Sequence, residues 1–388
     1  MNNAKTLNIK YASIQGLYYI VICCVLGYAA VYLGAIGFSA TWIGILLAIG
    51  NIITTILAPM LAGYVDKYHL SLNKVLIVLA GLSTVLSVLL AIFTKIPFII
   101  AVLFVIMFGL LNCMMPLINA LTFAFEEHGI KLNYGIGRGI GSAAYALTSL
   151  ALGYLVKVFS PALMPIAYVI ILAGLIPLLS SFKLKKAGIS KGHNEPVHAT
   201  SFKDFFTKYT TFMLFLLGFV LVYADHMIIN NFFIKIVENI GADVSVMGIA
   251  VFLAAILELI SMSAYEKWKD HLDIAFVIKF SVVMFTIKHI ITWLAPNVFV
   301  LYIAQITQMF AYALFIPASV YYVEKLFNRN DAVKGQSLIT ASMTVAAVAA
   351  SLCGGFLLDS LGTGMTLLIG AIVSVIGTII MLFTTQKV

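Results

Sequence analysis

Charge is what this sequence has least of. Asp, Glu, Lys and Arg make up only 10% of its 388 residues, against roughly a quarter in an ordinary soluble chain, and 62% are hydrophobic. Mean hydropathy is +1.09. No water-soluble fold hides that much apolar surface, so a soluble globular protein is excluded. Cysteine is scarce as well. Cys23, Cys24, Cys113 and Cys353 fall inside apolar runs without metal-ligand spacing, and they report neither a metal centre nor a redox compartment. Catalytic motifs are missing: there is no HExxH, no nucleophile elbow and no His-rich loop. The chain is therefore not expected to be an enzyme, and no cofactor or metal is expected.

What is present is apolar length, repeated. Runs of about 20 residues, each enough to cross a ~30 Å hydrocarbon core as a helix, lie near 11–33, 42–64, 74–94, 97–123, 134–157, 161–182, 206–233, 244–265, 273–294, 297–323, 335–358 and 361–384. Twelve membrane helices follow, helix 1 to helix 12 in chain order, and the fold class is all-α and polytopic. The first run follows only Lys5 and Lys10, is too long for a signal-peptide core and has no small-residue cleavage site. It reads as a retained helix. With a cytoplasmic N-terminus, most of the 23 Lys and Arg residues fall on that side, among them Lys67, Lys74, Lys131, Lys185, Lys208, Lys267, Lys325 and Arg329. Both termini are expected in the cytoplasm of a cell with this protein in its plasma or inner membrane. The net charge of +8 is then topological bias and does not argue for nucleic acid.

The long polar segment 183–204, "KLKKAGISKGHNEPVHATSFKD", reads as a cytoplasmic linker between a six-helix bundle at 1–182 and another at 205–388. The halves echo each other at an offset of about 200 residues. Pro116 inside helix 4 matches Pro317 inside helix 10, Gly135 opening helix 5 matches Gly335 opening helix 11, and "GYVDKY" after helix 2 matches "SAYEKW" after helix 8. Duplicated bundles suit alternating access, in which two halves rock about a central site.

These residues resemble the major facilitator superfamily, and more narrowly its lactose permease-like and nucleoside permease-like proton symporters. "GYVDKY" (63–68) resembles the superfamily's loop between helices 2 and 3, and "YGIGRGIGS" (134–142) with "GGFLLDSLG" (354–362) is similar to the branch's own pattern. The resemblance implies a gating role for Asp66 and Lys67. Independently of it, a carboxylate beside a helix N-terminus is held by exposed amides and the dipole; the fold that the resemblance implies would supply that terminus from helix 11 near Lys334 and Gly335, so that Asp66 serves as a latch.

Charges inside spans are costly and normally face a bundle interior or a wet cavity. They are Arg138 in helix 5, Asp225 and His226 in helix 7, Glu258 in helix 8, and Lys279 and Lys288 in helix 9. At ~1.5 Å rise per residue, Glu258 lies about 12 Å deep, Lys279 about 9 Å and Lys288 about 22 Å, level with Asp225 and His226 at about 20 Å. Depth thus pairs Glu258 with Lys279, and Asp225 or His226 with Lys288. The resemblance implies that Arg138 binds solute, that Lys288 is the basic residue of helix 9, and that Glu258 and His226 lie at or near the branch's acids. The chain departs from it at Asn119 or Ala120, where the lactose carrier has an acid, at Gln308, where the branch has His, and at Ala311, where that carrier has its proton-carrying Glu. Amides and tyrosines on interior positions, Asn119 and Gln308 foremost, supply donors and acceptors for a neutral polar solute. Glu258, Asp225 and His226 are the candidates for a coupling proton, since alternation between dry and charged surroundings loads and unloads such groups.

"YGIGRGIGS" lacks the spacing and the preceding strand of a dinucleotide fingerprint. As a helix it sets Gly135 and Gly139, and Gly137 and Gly141, on small-residue ridges that admit a neighbouring backbone. The leading reading is a monomeric, proton-coupled uptake carrier for a sugar, glycoside or nucleoside, its partners being the solute, protons and the lipid bilayer. An exporter of amphipathic compounds, an organic-anion carrier and a non-transporting membrane sensor are the alternatives.

Overall fold

The computed structural model describes residues 4–126, 130, 132–182 and 202–388, almost all of them helical and none in a strand. Helices are what an apolar sequence of this kind can form across lipid, because each satisfies its backbone N–H and C=O groups within itself. The chain divides into two compact units, Met1–Gly192 and His193–Val388. The expected linker 183–204 lies outside the described residues as far as 201. A short helix, Phe202–Lys208, then leads into helix 7.

In the first unit helix 1 runs through Ala4–Ile22, a π-helical turn at Cys23–Gly27, and Ala29–Ile36. Helix 2 is Ala40–Lys67, helix 3 Leu72–Ile92, helix 4 Pro97–Glu126, helix 5 Tyr134–Phe159 and helix 6 Met164–Ser181. Starts are fixed by side-chain caps: Ser39 Oγ accepts from Trp42 N, and Asn133 Oδ1 from Ile136 N at 3.0 Å. Tyr28 Oη donates to the Ser149 carbonyl at 2.7 Å, tying the end of the π turn to helix 5.

In the second unit helix 7 is Thr210–Asn231, helix 8 Val244–Trp268 and helix 9 Ile274–Leu294. Helix 10 is broken: Val298–Ile306 gives way to a 3-10 turn at Thr307–Met309 and resumes at Tyr312–Leu326. The sequence predicts an unbroken span here. Ser261 Oγ on helix 8 takes the Met309 carbonyl that the break releases, at 2.5 Å. An aromatic core of Phe205, Phe212, Phe215, Phe219, Phe285, Phe315, Tyr322 and Phe327 joins helices 7, 9 and 10.

Eleven helices among the described residues are long and apolar enough to cross a membrane, and the last, Asp331–Thr384, is 54 residues long. Gly362 interrupts it with φ 77° and ψ 173°, a conformation that favours glycine. Helix 11 (329–361) starts beside helix 7 at Tyr209, whose Oη donates to Asp331, and reaches Ser351 at Asn231. Helix 12 (363–384) returns, with Gly370 against Asp225 and Gly377 against Gly218. The chain therefore reverses at Gly362, which restores the twelve expected passes.

Helices 7 and 12 touch backbone to backbone. A Cβ on Gly218 would stand 2.8 Å from the Gly377 carbonyl oxygen, and one on Gly377 would stand 2.6 Å from that of Gly218. Small residues allow this approach where no water drives association. Gly218→Val is expected to lower the stability of the protein in detergent by ~2 kcal/mol, as overpacking does. Gly364→Ala, where a Cβ meets nothing within 4 Å, is the control, and thermal unfolding followed by tryptophan fluorescence is the measurement.

Candidate functional site

In the first unit the glycine run seats tyrosines. A Cβ on Gly137 would overlap the Tyr11 ring, and one on Gly141 would stand 2.5 Å from the Tyr19 ring, so helix 1 lies directly on helix 5. Gly135 does not take part: it is exposed in the first turn, and a Cβ there would meet only Asn133 Oδ1 at 3.6 Å. Gly139 is half-buried. The glycines on which the tyrosines of helix 1 rest are Gly137 and Gly141.

Tyr19 in turn carries Arg138. The guanidinium lies 4.5 Å from the Tyr19 ring centroid, a cation–π geometry that orients the half-buried arginine without neutralising it. Next to this pair runs a polar ladder absent from the sequence-derived site. Gln15, 1% exposed, donates through Nε2 to Tyr11 Oη at 2.7 Å and to Asn119 Oδ1 at 3.1 Å. The signal was legible as Tyr11, Gln15 and Tyr19 at four-residue steps on one helix. Other polar residues of the unit are structural: Tyr18 Oη donates to the Leu111 carbonyl, and Asn51 and Asn112 donate to carbonyls of their own helices. Asp66 and Lys67 are exposed in the last turn of helix 2, with Lys67 Nζ 5.4 Å from the Tyr68 ring centroid.

The second unit gathers its ionisable groups around the break in helix 10. Lys288, 0% exposed, donates to Gln308 Oε1 at 2.5 Å, and Gln308 Nε2 donates to Glu258 Oε1 at 2.6 Å. The amide thus accepts from the cation and donates to the anion, which fixes its orientation. Depth alone pairs Glu258 with Lys279; the structure links it to Lys288, because the Gln308 side chain spans the difference in height. Lys279 is only half-buried, one helical stretch nearer the start of helix 9.

His226 and Asp225 are both 1% exposed but face different surroundings. His226 Nε2 lies 2.9 Å from Asn230 Nδ2, and the ring stacks on Tyr312 at 5.5 Å between centroids. Asp225 Oδ2 lies 3.0 Å from Nδ1 of His289, a residue the sequence reading passed over in favour of its neighbour Lys288. His289 Nδ1 is also 2.8 Å from Ser374 Oγ on helix 12. Asn231, by contrast, ties helix 7 to Ser351 of helix 11.

Both units thus bury ionisable and amide side chains inside apolar helical bundles. The MFS_1 like family matches residues 9–369. "Uncharacterized transporter YwbF" of Bacillus subtilis (strain 168) is 23% identical over 303 residues, which cover 75% of this chain and 71% of that protein. Among solved structures, the nucleoside transporter NupG superposes with a TM-score of 0.80 at 15% identity over 100% of both chains. A D-xylose-proton symporter gives 0.68 at 12% identity over 98% of each. The chain belongs to the MFS_1 like family and is a multi-pass membrane transporter of the major facilitator superfamily.

Proposed function

We propose that this transporter takes up a small neutral polar solute, a sugar, glycoside or nucleoside, together with protons, by alternating access across the plasma or inner membrane with both termini cytoplasmic. The observation that carries the reading is the Lys288–Gln308–Glu258 chain. A cation, an amide and a carboxylate in series offer both donors and acceptors at fixed positions, which is what hydroxyl groups or a nucleobase edge require. Arg138 on its tyrosine, and Asn119 held by Gln15, supply the same kind of chemistry from the first unit. Two structural neighbours, a nucleoside transporter and a D-xylose-proton symporter, support the substrate class. The coupling proton resides on Glu258, Asp225 or His226, and Asp66 with Lys67 gates the cycle.

Three outcomes are expected. Proteoliposomes holding the purified chain accumulate labelled sugar or nucleoside when the outside is made acidic, and accumulation collapses with a protonophore; uptake indifferent to the gradient overturns the coupling. Gln308→Leu leaves a buried ammonium without its acceptor. Losing a hydrogen bond to a charged group costs about 1.5–3 kcal/mol, so kcat/KM for transport is expected to fall by roughly 10- to 100-fold. Arg138→Gln is expected to raise KM by a similar factor if the guanidinium binds solute, as read from concentration-dependent counterflow.

A further inference from the structure

Asp225, His289 and a row of hydroxyl groups leading away from them have no part in the Lys288–Gln308–Glu258 chain. Asp225 is 1% exposed, and its direct polar neighbour among the described residues is His289, 3.0 Å away. A carboxylate this deep needs company, since an uncompensated buried charge is costly: His289 stands at contact distance and the Lys288 ammonium within electrostatic reach. An acid and an imidazole in contact can exchange a proton, held as carboxylate with imidazolium or as carboxylic acid with imidazole.

The row begins where the pair ends. His289 Nδ1 lies 2.8 Å from Ser374 Oγ, Ser374 Oγ 2.9 Å from Thr286 Oγ1, and Thr286 Oγ1 2.7 Å from Thr378 Oγ1, which reaches the Val282 carbonyl at 3.2 Å. In both hydroxyl–hydroxyl links either oxygen can be the donor. Neighbouring hydroxyl groups behave differently: Ser281 and Thr292 donate to carbonyls of their own helix one turn back, at Val277 and Lys288. Helix 12 is shaped to admit the row. A Cβ on Gly370 would overlap the Asp225 carboxylate, and Ser374 and Thr378 follow one and two turns later on the same face. From Gly370 to Thr378 is about 12 Å of helix.

We propose that Asp225 and His289 jointly hold the transported proton, and that Ser374, Thr286 and Thr378 relay it between helices 9 and 12, leaving the Lys288–Gln308–Glu258 chain to the solute. This rests on the proton-coupled reading above and assigns its carrier and route. In each transfer a hydroxyl oxygen gains one proton and passes on its own, no heavy-atom bond changes, and water at the end of the row takes up or supplies the last proton. The titratable groups facing the pair are Lys288 on helix 9, which acts on Asp225, and His226 on helix 7, which acts on His289; Tyr223 on helix 7 and Tyr312 on helix 10 stand around His226, and Glu258 on helix 8 around Lys288. Helix 12 carries none between 363 and 384.

The test uses the full chain in lipid vesicles and pH-titrated infrared difference spectroscopy, which needs no solute. A carboxylic acid C=O band is expected that disappears in Asp225→Asn, persists in Glu258→Gln, and has its midpoint moved by about one pH unit or more in His289→Gln. Thr286→Val keeps the volume but loses the hydroxyl, and is expected to slow deuterium exchange of that band without moving its midpoint. A band that survives Asp225→Asn, or that Glu258→Gln removes, overturns the assignment, and unchanged exchange in Thr286→Val overturns the route. If the band behaves as expected but the wild type ignores a pH gradient, the proton pair stands and the proton-coupled reading fails.

Discussion

The carboxylate of Asp225 sits where solvent cannot reach it, and the second unit is arranged around that one group. Helix 12 gives up a side chain at Gly370 so that the carboxylate fits, and Ser374, one turn further on, meets the imidazole that faces it. The two helices can run this close only because Gly218 and Gly377 let their backbones touch farther along. Replacing a buried ion by apolar residues is often neutral or stabilising in itself. Retaining one, with a glycine cleared for it and a histidine held against it, is a cost that a transporter offsets through function.

The first unit places its cation differently. Arg138 is laid on a tyrosine, and that tyrosine is held in place by the glycine beneath it. The face of an aromatic ring orients a guanidinium. Gln15 does the same for Asn119, holding the amide by its oxygen so that its NH2 group keeps its donors.

Most of the fold was legible because each span is an unbroken apolar run of membrane length, and even the reversal at Gly362 falls within two residues of the gap, 359–360, between the last two runs. The break in helix 10 was not, since "ITQMFAYA" contains neither proline nor glycine and the serine that stabilises it comes from helix 8. Charged site residues were legible for their cost in lipid. Their partnerships were not: depth along a helix ignores side-chain reach, so Lys279 looked nearer to Glu258 than Lys288, until Gln308 is seen to connect them. His289 was hidden by its charged neighbour, and Ser374, Thr286 and Thr378 by their ordinariness, since hydroxyl groups in membrane helices mostly bond their own backbone.

Helix 1 carries one more residue than an α-helix of its height needs, taken up in the π turn at Cys23–Gly27, where Tyr28 N reaches back to the Cys23 carbonyl at 3.1 Å. A surplus residue of this kind sets the phase of everything beyond it, about 100° of rotation per residue. The Tyr28 hydroxyl on Ser149 and the Tyr19 ring under Arg138 lie on opposite sides of that turn, so the surplus residue sets the azimuth of one end of helix 1 relative to the other, with the π turn keeping its backbone groups paired in a medium that offers no water.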